Sequence, residues 1–99
     1  DDDDLIAKAI NMLIESNGGL SAVSNEISHL IPLPVAGLMS DQPVDVVGHQ
    51  YSNITEFVKS KGCPLTSPYM TLSFMALLVI PKIKISDLGM FDAENFVFY

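Results

Sequence analysis

The sequence predicts an α+β fold, with a small, mostly antiparallel sheet and two or three helices packed on one of its faces. Two long segments, 4–17 and 44–58, repeat apolar side chains at the three- and four-residue spacing of amphipathic helices. Several shorter segments alternate apolar and polar residues, as half-buried strands do. The length of 99 residues and the hydrophobic content of 48% suffice for one core, so we expect a single domain over residues 1–99.

The first helix is predicted from Asp4 to about Asn17. The four aspartates at its start suit the positive end of a helix dipole. They lack the spaced glycine of a calcium loop, so we interpret them as a solvated helix start. The apolar positions expected to be buried are Ile6, Ala9, Ile10, Leu13 and Ile14. Gly18 and Gly19 should end this helix, since glycine tolerates the left-handed C-terminal conformation.

A short hairpin is predicted next. Segments 20–24 and 26–31 alternate apolar and polar residues around Asn25, which indicates two strands joined by a tight turn. One apolar face of this hairpin should point toward the first helix. Pro32 and Pro34 cannot donate the hydrogen bonds of a strand pair, so they should end the second strand.

A connector follows, and after it the longest helix. Gly37 gives the connector backbone freedom. Ser40 or Asp41 should cap a helix that has Pro43 in its first turn. Its apolar stripe recurs at spacings of three and four residues, at Val44, Val47, Tyr51, Ile54 and Val58. Gly62 should end the helix.

The last third of the chain is predicted to hold one short helix and two strands. Residues 69–80 are apolar nearly throughout, a pattern that does not separate a buried helix from a buried strand. Their good helix formers favour a helix over Met70–Leu77. Ile83 and Ile85 alternate with lysines, as in a half-exposed strand, and a final strand is expected over 96–99.

Composition limits the classes of function. The net charge is −7, from 12 acidic and 5 basic residues, and no basic stripe is available to bind nucleic acid. The longest apolar run, Phe74–Ile80, is far shorter than the ~20 residues of a membrane helix, so no membrane partner is expected. Cys63 is the only cysteine, which excludes an internal disulfide and fits a reducing, cytoplasmic compartment.

No pattern of residues predicts a catalytic, cofactor-binding or metal-binding group in this chain. His29 and His49 belong to no metal-ligand motif. The candidate site is instead a set of contacts with another domain or with the edge of a ligand pocket, namely Leu38, Met39, Ser40 and Asp41. Helix capping also accounts for the serine and the aspartate, but it does not account for the apolar residues before them.

Several strings occur along the chain in a characteristic order. They are Leu5-Ile6-Ala7, Gly18-Gly19, Leu30-Ile31, Pro32-Leu33-Pro34, Gly37-Leu38-Met39-Ser40-Asp41, Met70-Thr71-Leu72-Ser73-Phe74, Ile80-Pro81, Lys84-Ile85-Ser86-Asp87-Leu88-Gly89 and Asp92. With them the chain resembles, over essentially its whole length, the C-terminal domain of bacterial adenine deaminase, in the amidohydrolase superfamily. Two positions depart from that family's pattern: Ser24-Asn25-Glu26 replaces a glycine turn, and Leu78 replaces a proline.

The resemblance implies that the chain is an accessory C-terminal piece of a longer hydrolase of purine metabolism. Such an enzyme converts adenine to hypoxanthine and ammonia on a (β/α)8 barrel with a dinuclear manganese or iron centre. The metal ligands lie on the barrel, so the resemblance implies no cofactor in this chain and no activity of the chain alone. The implied partners are the missing barrel domain and further copies in a homo-oligomer.

Two alternatives stay open. The chain could belong to another amidohydrolase, acting on a different cyclic amidine or amide, or it could be an independent module that binds a ligand or a protein. Barrel histidine motifs upstream would exclude the independent module, and ammonia release from adenine would separate the two hydrolases. Because the connector or the second face of the sheet would meet the missing domain, we expect the isolated chain to expose an apolar patch at Leu38, Met39 and 96–99 and to self-associate.

Overall fold

The computed structural model describes residues 2–99 and confirms the α+β class with antiparallel strands. The chain divides into two compact units, the first ending at Pro64 and the second running from Leu65 to Tyr99. The helices are α1 (Asp3–Glu15), α2 (Val44–Ser60) and α3 (Pro68–Phe74). The strands are β1 (Gly19–Val23), β2 (Ser28–Pro32), β3 (Ile83–Ser86), β4 (Gly89–Asp92) and β5 (Val97–Phe98). They form two sheets, β1-β2 in the first unit and β3-β4-β5 in the second.

Helix α1 begins at an aspartate cap, as the acidic start predicts. A side-chain oxygen of Asp2 accepts hydrogen bonds from the backbone N–H groups of Asp4 (2.8 Å) and Leu5 (3.3 Å). The cap satisfies two N–H groups that have no partner within the helix. Asp1, the first residue of the predicted acidic start, lies outside the described residues.

The end of α1 differs from the prediction in one residue. The left-handed position is taken by Asn17, at φ +59°, and not by Gly18. The N–H of Gly18 donates to the carbonyl of Leu13 (2.8 Å), and that of Asn17 donates to Ile14 (3.2 Å). These two bonds form a Schellman motif. Asparagine fills the left-handed position because its short polar side chain tolerates that backbone conformation.

The buried face of α1 also differs from the prediction. Half-buried side chains follow the helix at Leu5, Ala9, Met12 and Leu13. Ile6, Ile10 and Ile14 lie one residue further round the helix and are exposed. The orientation is fixed by β1, because the Ser21 hydroxyl donates to the carbonyl of Ala9 (3.1 Å).

The β1-β2 hairpin lies between the two long helices. Its register pairs Leu20 with Ile31 and Ala22 with His29, so these four side chains share one face. The His29 ring lies 4.5 Å from the ring of Phe57 on α2, which puts α2 against this face. Ser21 points to the other face, where α1 lies. The most buried side chains of the unit belong to β2 and α2: Ile31 and Ile54.

Helix α2 follows most of its predicted stripe. Val47, Tyr51 and Val58 are half-buried, but Val44 is exposed because it is the first residue of the helix. Gly62, at φ +103°, ends α2 as predicted: its N–H donates to the Lys59 carbonyl at 3.0 Å.

In the second unit, α3 begins earlier and ends earlier than predicted. Pro68 occupies its first turn, where a missing N–H costs nothing. After Phe74 the chain makes turns in place of α-helix, with the N–H of Leu77 donating to the carbonyl of Phe74 (3.2 Å). The predicted strand of Ile83 and Ile85 is present as β3, and the predicted last strand is present as β5. The strand between them, β4, is not predicted by the sequence, and it pairs with both.

Candidate functional site

The connector between β2 and α2 is a narrow loop closed by its own backbone. Val35 and Met39 exchange two hydrogen bonds, at 3.0 and 3.1 Å, and the N–H of Leu38 also donates to the Val35 carbonyl at 3.1 Å. The residues at its bend, Ala36 and Gly37, have φ values of +58° and +72°. Two successive positive φ values are typical of the tight primed turns that join hairpin strands. We call residues 35–39 the connector loop.

The connector loop is held against the end of α1. The carbonyl of Gly18 accepts hydrogen bonds from the N–H of Leu33 (3.2 Å) and from the Ser16 hydroxyl (2.9 Å). A Cβ atom on Gly18 would lie 2.6 Å from the Cα of Gly37, so the two backbones touch with no room for a side chain. The loop therefore has a fixed position on the first unit.

The connector loop presents two large apolar side chains to solvent. Leu38 is 77% exposed and Met39 is 60% exposed. Both side chains follow the turn, and the hydrogen bonds that shape the loop use only backbone atoms. Apolar side chains on a backbone held in one conformation suit docking against another surface, because little conformational entropy is lost on binding.

Ser40 and Asp41 do not cap α2, so that prediction is wrong. The cap position belongs to Pro43, whose carbonyl accepts from the N–H of Val47 (3.1 Å) and which makes no side-chain cap. The Ser40 hydroxyl accepts from the backbone N–H of Gln42 (3.1 Å), and the Asp41 carboxylate accepts from the Gln42 side chain (3.3 Å). A cap at Asp41 would require the helix to begin at Gln42, but α2 begins two residues later, at Val44. The side chains of Ser40 and Asp41 therefore bond to Gln42 and not to the first turn of the helix.

A second surface feature of the first unit is an open groove of about 360 Å³. Its lining combines apolar, amide and charged side chains: Leu5, Val23, Ser24, Asn25, Glu26 and Lys61. The Lys61 ammonium also lies 5.6 Å from the centre of the Phe57 ring. The groove holds one acidic and one basic side chain, which is too little to define a ligand.

No group of three or more His, Cys, Asp and Glu side chains within residues 2–99 is arranged to hold a metal ion. His29 packs on Phe57, His49 is exposed on α2, and Cys63 is a free, half-buried thiol.

The carboxylate of Asp92 has a perturbed pKa, and the cause is structural. In the β4-β5 turn, Asp92 accepts from the side chain of Asn95 (2.7 Å) and from the backbone N–H groups of Asn95 (3.1 Å) and Glu94 (2.9 Å). These bonds, the side-chain bond first, lower the pKa of Asp92 below its ordinary value. The aspartate thus fixes a turn, which explains its place in the sequence without a catalytic role.

Sequence reasoning missed the contact between Gly18 and Gly37. Both glycines stand in strings that mark the family resemblance, but each has a local explanation, a helix end and a loop. The positions of the two glycines contain a signal for this contact. One glycine precedes the predicted hairpin and the other follows it, and because glycine has no side chain, the two flanking backbones can come into contact.

The described residues form a small α+β fold with antiparallel strands and an exposed apolar loop. The family model described as adenine deaminase C-terminal domain matches residues 1–97. The chain belongs to this family.

Curated relatives agree with that assignment. Proteins named adenine deaminase from Salinibacter ruber and Sulfurovum sp. are 47% and 48% identical to it over 97 residues, and one from Archaeoglobus fulgidus is 47% identical over 95 residues. The matches cover 96–97% of this chain but only 17–18% of each relative. No solved structure matches the chain significantly. Within residues 2–99, no helix is long and apolar enough to span a membrane.

Proposed function

We propose that this chain serves a full-length adenine deaminase, a hydrolase that converts adenine to hypoxanthine and ammonia in purine metabolism. The observation that carries the proposal is the family match over residues 1–97, together with relatives of that name that are more than five times as long. Reaction chemistry belongs to the part of the protein outside this chain. The role of the chain is to support that part.

The proposed site of support is the connector loop with the two residues after it. Leu38 and Met39 supply the exposed apolar contact, and Ser40 and Asp41 supply hydrogen-bonding groups beside it. Protein–protein interfaces usually have a centre that excludes water and a polar rim around it. We propose that these four residues meet the barrel domain or the edge of its substrate pocket.

The proposal assigns the metal centre to the barrel domain. The described residues of this chain do not fit a dinuclear manganese or iron centre, since no cluster of suitable ligands is present among them. A reducing, cytoplasmic location and a homo-oligomeric state complete the proposal. The presence of a single cysteine supports the first, and the exposed apolar side chains of the chain support the second.

The experiment that tests the reaction measures ammonia release from adenine by the full-length, metal-loaded protein. Release of ammonia with formation of hypoxanthine is the expected result. If the protein released no ammonia from adenine but hydrolysed another cyclic amidine or amide, the chain would belong to a different amidohydrolase.

The support role is tested with Leu38→Asp in the full-length protein. A charge at the centre of the contact should lower the rate of adenine deamination, because the domain would no longer hold its partner in place. The matched control is Leu72→Asp, since Leu72 is an exposed leucine of α3, outside the connector loop. Equal activity of the two variants would contradict the proposed contact.

A further inference from the structure

The sheet of the second unit carries an exposed apolar face. Its register pairs Ile83 with Asp92, Ile85 with Met90, and Asp92 with Val97, so these side chains share one face of the sheet. We name the four apolar ones the isoleucine face: Ile83, Ile85, Met90 and Val97. All four are between 47% and 83% exposed, and Ile85 is the most exposed.

The opposite face of the same sheet already holds the core of the unit. Phe91 is buried there, and its ring lies 5.0 Å from the ring of Phe98 and 5.3 Å from that of Phe96, in edge-to-face contacts. Lys84 pairs with Phe91 across the strands, so the lysine lies on this inner side.

In β3 the aliphatic side chains lie on the exposed side of the strand. Lys84 is half-buried, while Ile83 and Ile85 are exposed. The outer face of a half-buried antiparallel sheet is normally polar. A sheet with aromatic residues on one face and aliphatic residues on the other has the composition of a sheet covered on both sides.

We propose that the isoleucine face docks on the remainder of the same polypeptide, the part that lies outside this chain in full-length adenine deaminase. The inference rests on the proposed function, since it needs the chain to be one domain of a longer protein. The matched relatives are long enough to supply the covering surface, because this chain accounts for about 18% of their length.

Covalent connection favours this occupant over a second copy of the chain. A domain joined to its partner binds it at an effective concentration in the millimolar range, whatever the protein concentration. Binding of a second copy costs translational and rotational freedom, and contacts with the same small face would have to offset that cost. The covering surface should itself be apolar opposite the four residues of the isoleucine face. Asp92, which lies on the same side of the sheet, already accepts hydrogen bonds from Glu94 and Asn95 of its own turn.

The test measures thiol alkylation of two variants of the full-length protein, Ile85→Cys and Glu94→Cys. Glu94 is an exposed residue of the β4-β5 turn, so it is the control position in the same unit. Mass spectrometry of the peptides reads each site separately from Cys63. We expect the thiol at position 85 to react at least about tenfold more slowly than that at position 94 in the native protein, because a covered thiol is inaccessible. In urea the two rates should become equal.

Equal native rates at the two positions would overturn the proposal. Slow reaction only in oligomers, with fast reaction in the monomer fraction from size-exclusion chromatography, would also overturn it, because the occupant would then be a second copy. If Ile85→Cys does not fold, Met90→Cys repeats the test, since Met90 lies directly across from Ile85 on β4.

Ammonia release from adenine by the unmodified protein separates the two proposals. A protected thiol at position 85 in a protein that does not deaminate adenine overturns the proposed reaction and supports the docking. A freely reactive thiol in a protein that does deaminate adenine overturns the docking alone.

Discussion

Gly19 is the position at which the addition of a single methyl group should destabilise the fold most. It begins β1 at φ +146°, a backbone conformation that side chains rarely adopt. A Cβ atom there would lie 2.2 Å from the carbonyl oxygen of Ile31 on the paired strand. The Gly19→Ala substitution therefore adds one methyl group where neither the backbone conformation nor the neighbouring strand accepts it.

The expected cost is the sum of two contributions. A side chain forced into a region of backbone space that is essentially reserved for glycine costs about 1–3 kcal/mol. An overpacked contact in a well-packed structure costs about 1–3 kcal/mol, and here the obstacle is backbone, which moves less easily than a side chain. The total of about 2–6 kcal/mol is a large share of the 5–15 kcal/mol that stabilises a typical domain.

Substitutions at two other glycines of the same unit allow the conformational cost and the steric cost to be measured separately. Gly62 has φ +103° but nothing within 4 Å of an added Cβ, so Gly62→Ala should cost only the conformational part, about 1–3 kcal/mol. Gly48 lies inside α2 with helical backbone and equally open space. Gly48→Ala should stabilise the unit by about 1 kcal/mol, because alanine is the better helix former.

The assay is native-state hydrogen exchange of the full-length protein, read at the amides of β1, β2 and α2. It reports the free energy of opening of this unit without requiring two-state unfolding of the whole protein. The expected order of stability is Gly48→Ala above the parent, then Gly62→Ala, then Gly19→Ala. A Gly19→Ala protein whose β1 and β2 amides exchange as slowly as those of the parent would refute the steric argument.

Three further predictions concern single side chains. Asp2→Ala removes the cap of α1 and should destabilise that helix by about 1 kcal/mol, measured by exchange of its first-turn amides. Ile54→Ala should cost about 2–5 kcal/mol in chemical denaturation, since the side chain is only 1% exposed. Because the pKa of Asp92 is lowered, its contribution should be present above the ordinary value of 3.8 and be lost as the pH falls through the native value. Acid titration followed by the NMR amide signals of residues 93–95 should show this transition in the parent and not in Asp92→Ala, and a transition of the same size in both would contradict it.

The sequence predicts the elements of the first unit because their signals are local. The spacing of apolar residues specifies α1 and α2, and Gly62 and the paired prolines mark where elements end. The exposed tip at Leu38 and Met39 is also predictable, since two apolar residues in a glycine-containing connector have no neighbouring element to cover them. These features depend on residues within a few positions of one another.

Orientation could not be predicted, because it depends on partners distant in sequence. The apolar arc of α1 is wide enough to include Ile6, Ile10 and Ile14, and the packing of α1 on β1, which includes the hydrogen bond from Ser21 to Ala9, decides which part of the arc is covered. In β3 the alternation of Ile83 and Ile85 with lysine predicts a strand correctly, but a period of two gives no sign of which face is buried. The side of the sheet that holds the core is set by the aromatic residues of β4 and β5.

In the connector loop the backbone determines the conformation, and the exposed side chains determine the chemical character of the surface. Backbone hydrogen bonds and a turn at Ala36-Gly37 set its path, so the side chains of Leu38 and Met39 have no part in building it. Substitutions at these two exposed positions should therefore change the surface of the loop with little cost to folding. The same scaffold could thus present a charged, aromatic or small tip, and this freedom makes the loop a natural place for variation of the domain's contacts and a practical place to redesign them.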